Sequence, residues 1–346
     1  MSENFFVYQL YQQLRSVSLS DALTAFDDLR EDSLTPEIAD KYFGSFGVGD
    51  IPQGIHAPYE RFICYTFLLS LLSRRSKSKF QKMHKGTPYY FLAGTSFKFG
   101  DYEKALFYMD ATIAEDMRIP SWDWRNTPIG KMLTLTAGGT AWSVESKLKK
   151  SFQELLDNFN TELSLRVNGE QFVLRFVLPL IEQNKRDRSI VTSLYSFILE
   201  FYDRKEMLSL RSSEGGSIEP FLMHLLKGTV IFETLIKKIA DQQSWRMDSG
   251  KNTGKQIKTL GNLNYCSSFT SNYCPLQNQA PIATIGDILT QIFTNKTEEA
   301  INTVYFLRNK IAHDLRWDDI FTVNNYEKLF RQIINAILIV IYKEFP

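Results

Sequence analysis

Apolar residues return every three or four positions over most of the chain, the period of a helix with one face turned to a core. No stretch keeps the two-residue rhythm of a half-buried strand. The pattern predicts an all-α protein. Val7, Leu10, Tyr11 and Leu14 mark a first helical face, and Arg61 to Leu72 read as a dense apolar helix. Ile190, Leu194, Phe197, Ile198 and Phe201 mark another, and Phe221 to Ile239 is apolar on two sides. Ala300, Val304, Leu307 and Ile311 give a helix over 298–313 with one buried stripe. The last helix is the most regular: Tyr326, Leu329, Phe330, Ile333, Ile334, Ile337, Leu338 and Ile341 follow its period without a miss.

The pattern breaks in three places. Pro120 to Pro128, with Trp122 and Trp124, interrupts it, and Asn168-Gly169 marks a turn. Residues 244–284 are rich in Ser, Asn, Gly, Thr and Lys, a length of loop that is usually functional or without fixed order. A division near 165–170 gives an N-terminal helical domain, 1–165, and a C-terminal one, 166–346, that carries the long loop.

Residues 89–116 read as a helical hairpin. Gly100 ends its first helix, Asp101 caps the second, and small Ala105 allows close approach. The G-D-Y-E-K-A-L core at 100–106 resembles the turn and second helix of a tetratricopeptide hairpin. No second copy follows at a 34-residue period. A repeat-like domain and an ordinary hairpin therefore both stay open.

Composition narrows the class. Of 346 residues, 44% are apolar and 23% charged, the balance of a globular chain. Lys plus Arg (40) nearly cancels Asp plus Glu (39), so only a local patch would serve nucleic acid. Cys64, Cys266 and Cys274 are too few and too scattered for a disulfide framework or a zinc quartet, and read as reduced structural thiols. The N-terminus lacks a secretory pattern, and the apolar run Ala336–Tyr342 falls far short of the roughly 20 residues that span a bilayer. A cytoplasmic protein without membrane contact is the expectation.

Most candidate motifs are weak. G-K-N-T-G-K-Q at 250–256 spaces its glycines wrongly for a phosphate-binding loop and has Gln256 where Ser or Thr is needed. Gly138-Gly139 lacks a third glycine at dinucleotide spacing. His56, His84 and His224 have no partner at metal-ligand spacing, so they read as structural. No D-x-D or H-x-E cluster points to metal ions, and no cofactor is implied.

Arg308 and His313, in R-N-K-I-A-H, are the exception. Asn309 and His313 are four apart and share a helical stripe, while Arg308 lies roughly 140° round the axis from His313. Taken alone, the pair reads as cations suited to a helix C-terminus. The motif, however, sits in the penultimate helix of an all-α segment, before a strongly apolar last helix. This resembles the R-x4-6-H signature of HEPN domains, helical bundles of RNA-cleaving toxins and antiviral effectors. The likeness covers about 190–346, as helices near 190–208, 219–241, 285–313 and 324–344.

The resemblance implies a metal-independent endoribonuclease. Arg308, His313 and Asn309 would form the catalytic set, Asn309 orienting the histidine or holding a phosphate oxygen, with Lys310 and Arg316 extending contact to RNA. It also implies a homodimer that completes the site across a two-fold axis, and a regulatory or antitoxin protein as a further partner. The alternative is a non-catalytic helical scaffold with a HEPN-like bundle.

Overall fold

The computed structural model describes residues 65–66, 69–70, 73–74, 77–136, 143–212, 215–250, 252–277, 285–313 and 321–345, without the side chains of residues 79, 143–145, 285 and 313. The first helical face at 7–14, Cys64, His56 and Gly138-Gly139 lie outside these residues, as does most of 61–72. Among the described residues the regular structure is helical: thirteen α-helices and no strand. The all-α expectation holds. No helix among them is long and apolar enough to cross a membrane.

Seven described helices run to thirteen residues or more, labelled in order: α1 Gly86–Lys98, α2 Tyr102–Asp116, α3 Ser143–Leu163, α4 Lys185–Ser209, α5 Glu219–Gln242, α6 Lys296–His313 and α7 Val323–Glu344. The chain divides into two compact units, 1–145 and 146–346. The divide in space therefore lies upstream of the turn at Asn168-Gly169, and nearly all of α3 belongs to the second unit.

In the first unit, α1 and α2 pack as a hairpin. Gly100 has φ +71°, a left-handed conformation that stops α1 and would strain a residue with a Cβ. The Asp101 carboxylate then accepts from the Lys104 backbone N–H and starts α2. Ala105, Met109 and Ile113 are buried in α2, as are Phe91, Leu92 and Phe97 in α1. At the base, Glu115 takes Lys85 at 2.9 Å and Arg118 at 3.0 Å, so a buried carboxylate ties the start of α1 to the end of α2. The break at 120–128 is a turn with a short 3-10 helix, Trp124–Asn126.

In the second unit, α4, α5 and α7 share an aromatic core. Phe201 and Phe330 stack with centroids 3.8 Å apart, and Phe197 and His224 stack at 4.4 Å. A Cβ on Gly228 would lie 2.4 Å from the Phe197 ring, so only glycine lets α5 approach α4 there. Beneath the rings, Glu200 pairs with Lys227 and Arg204 and accepts from Ser196. That polar knot ties α4 to α5 through the Glu200–Lys227 pair, although the buried Nε of Arg204 has no hydrogen-bond partner among the described residues. α3 joins through Phe152, which meets Phe172 and Tyr195, and through Glu162, which accepts from Asn335 of α7.

Two stretches differ from expectation. A separate short helix, Ile285–Leu289, precedes α6, whose start is set when Asn295 accepts from the Glu298 N–H and Glu298 accepts from Thr294 N–H. The described part of 244–284 is ordered rather than structureless. An isolated bridge joins Arg246 to Gln256 across a turn with Gly250 and Gly254 at positive φ, and short helices follow at Leu260–Tyr265 and Ser267–Asn272. Trp245, Phe269 and Tyr273 form a small core there, and the Tyr273 hydroxyl donates to Glu344 of α7. Cys266 and Cys274 are buried free thiols, and burial pushes Cys274 up to about 12, where it stays protonated and inert.

Candidate functional site

Helix α6 packs on α5 and α7. Ala300, Ile301, Asn302, Thr303 and Val304 are all buried, so the helix is enclosed on every side over this turn. Burial is then interrupted: Tyr305, Arg308, Asn309 and Lys310 are half-buried and Ala312 is exposed, while Leu307 and Ile311 hold the core. At 100° per residue, positions 305, 308, 309 and 312 form one stripe. The helix therefore brings Arg308 and Asn309 to the surface side by side, and His313 is its last residue.

Arg308 is anchored. Its Nε donates to Glu233 Oε2 of α5 at 2.9 Å, and the other oxygen of that carboxylate holds Lys237 at 2.6 Å. The Glu233 side chain is 10% exposed against 32% for Arg308, so the carboxylate is the recessed partner and the guanidinium the outer one. Burial pushes the Glu233 carboxyl up, but hydrogen bonds and charge from Lys237 and Arg308 outweigh it, and the net displacement is below the usual range. The cluster of two cations and one anion keeps a surplus positive charge. Among the described residues the terminal nitrogens of Arg308 have no hydrogen bond. An arginine held by Nε alone has its orientation fixed and four N–H donors still to offer.

Asn309 makes no side-chain hydrogen bond among the described residues, and Lys310 is half-buried beside it. The side chain of His313 and the whole of Arg316 lie outside the described residues. Sequence reading missed Glu233. Its one signal was a carboxylate four residues before Lys237 inside an apolar run, a spacing that also suits an ordinary surface pair.

Of the other histidines described, His224 is a core residue and His84 is partly exposed. His224 is buried between the Phe197 carbonyl and the Tyr326 hydroxyl, and burial drives its pKa well below the usual value, so it stays neutral. His84 lies 3.2 Å from Asp116 and edge-on to Trp122. Among the described residues no three His, Cys, Asp or Glu side chains gather as a metal-holding group. No protein-family model matches the chain, and neither a curated protein nor a solved structure matches it, so the residues themselves carry the reading of what it does.

Proposed function

We propose that the chain is a metal-independent endoribonuclease of HEPN type, acting as a homodimer in which the ends of the two α6 helices face each other. The observation that carries this reading is the anchored Arg308, presented beside Asn309 on the surface stripe of the helix that ends in His313. In the proposed reaction His313 takes the proton of a ribose 2′-hydroxyl, whose oxygen bonds to phosphorus while the bond to the 5′-oxygen breaks. Arg308 spreads the charge of the phosphorane over its free donors. Proton return to the 5′-oxygen falls to the second histidine of the pair, and Asn309 orients the histidine. Lys310 and Arg316 extend the phosphate-binding surface. The products are a 2′,3′-cyclic phosphate and a 5′-hydroxyl. A role in defence or as a toxin, restrained by a regulatory or antitoxin protein, belongs to the same proposal.

The ion pair with Glu233 also favours a second reading, a scaffold in which Arg308 merely ties α6 to α5. Incubating the purified chain with single-stranded RNA in EDTA separates them. The nuclease reading expects cleavage with cyclic-phosphate ends, its loss in Arg308→Ala and His313→Ala, and its partial recovery when the two variants are mixed, since exchange restores one intact pair across the interface. No cleavage, together with a lowered melting temperature of Arg308→Ala, gives the scaffold.

A further inference from the structure

A concavity of about 360 Å³ lies in the second unit, where the C-terminal end of α7 meets the segment after α3. Arg166, Arg175 and Lys343 line it together with Phe172, Tyr342 and Phe345, and no carboxylate side chain does. None of its lining residues belongs to α5 or α6, so it is distinct from the Arg308 cluster.

Its walls are fixed in place. Asn160 grips the backbone of Val167 twice, donating to its carbonyl at 2.7 Å and accepting from its N–H at 2.8 Å, so the residue after Arg166 cannot swing. Asn168 then accepts from the Gln171 N–H, and residues Val173–Val177 form a π-helical turn that carries Arg175. Such turns are rare and are often found at functional sites. Lys343 is already held by the Asn272 carbonyl and the Tyr273 ring, which makes it a fixed charge. Arg166 and Arg175 differ: among the described residues neither has an ion pair or a hydrogen bond. Three exposed cationic residues thus line one hollow to which the described residues contribute no carboxylate side chain, and an anion bound there would be matched in charge. The half-buried Phe345 ring and the exposed Tyr342 ring add an aromatic wall on which a flat group can rest, while Phe172 packs behind them in the core. The volume is that of a small-ligand site.

We propose that this cavity binds a nucleoside monophosphate, with Arg166 and Arg175 on the phosphate and the base against the aromatic wall. Arginine suits the dianion because its forked donors pair two oxygens at once. The proposal is independent of RNA cleavage and is tested without it. Calorimetric titration of the full chain with each of the four ribonucleoside 5′-monophosphates should give saturable one-to-one binding for at least one. The matching nucleoside and inorganic phosphate should each bind at least tenfold more weakly. Arg166→Gln with Arg175→Gln should weaken binding by about tenfold per arginine removed, and Phe345→Ala should weaken it while leaving inorganic phosphate unaffected. Absence of saturable binding by all four, nucleoside or phosphate binding as tight as the nucleotide, or affinity unchanged in the double variant would each overturn the assignment.

Discussion

Arg308 and Arg175 stand in the same unit, on comparable helical ground, in opposite electrostatic settings. Arg308 leans on a recessed carboxylate that it shares with Lys237, while Arg175 and its neighbour Arg166 have no anion from the described protein. The difference is one of role. A carboxylate on Nε sets where an arginine points and still leaves donors over, which suits a group that must meet a reacting phosphate in a fixed geometry. Arginines without a protein anion, set in a concave wall, are matched to a ligand that brings its own charge. In the proposed reading, one environment positions and the other recruits.

The largest expected effect lies in the first environment. Arg308→Ala and His313→Ala should each lower RNA cleavage by about 100-fold or more, the usual weight of a general acid–base or phosphorane-stabilising group, read from labelled RNA in EDTA. Alanine is the best helix former, so α6 should remain intact by circular dichroism. A wild-type rate in either variant breaks the comparison at its functional end.

Glu233→Gln tests the anchor. The neutral amide keeps the shape and leaves Lys237 and Arg308 without their anion, so unfolding in urea should show a loss of about 1–3 kcal/mol. The wild-type contribution is pH-dependent with a definite sign. The folded pKa of Glu233 lies below its ordinary value of 4.5, so its stabilisation is complete above about 4.5 and disappears as pH falls through the folded value. His224 acts in a separate window. Its folded pKa is far below the ordinary 6.5, so the native state resists a proton that the unfolded chain accepts, and stability falls as pH drops below about 6.5. Urea midpoints at pH 7, 5.5 and 4 should show both declines in the wild type, and the one below 4.5 should shrink in Glu233→Gln.

The smallest effect belongs to the second environment. Arg166→Gln and Arg175→Gln should each alter stability by no more than about 0.5 kcal/mol, as for exposed side chains with no partner among the described residues. A larger loss in thermal unfolding would mean that these arginines hold the fold, and the contrast with Arg308 would fail.

Helix positions were legible because burial imposes a period. The stripe of α7 and the buried face of α6 could be read from sequence, since an apolar residue off the core face would cost transfer free energy at every turn. Gly100 and Asp101 were legible for a local reason, their effect being confined to the turn they make. The ordered insertion after α5 was not. Its small core joins Trp245, Phe269 and Tyr273 across a polar sequence with no period to detect.

Of the candidate site, Arg308, Asn309 and His313 could be picked out because they are neighbours on one helix. Glu233 is 75 residues away in sequence, and only the packing of α5 against α6 makes it a partner. The cavity is more extreme. Arg166 and Arg175 line one hollow with Lys343 only because the segment after α3 and the end of α7 come together. Sequence alone thus determined the helical class, the hairpin turn and the residues worth suspecting, all consequences of short-range periodicity and capping. Tertiary structure decided which arginine is anchored and which pair is left open, because Coulomb interactions depend on distance in space and the chain does not write that distance down.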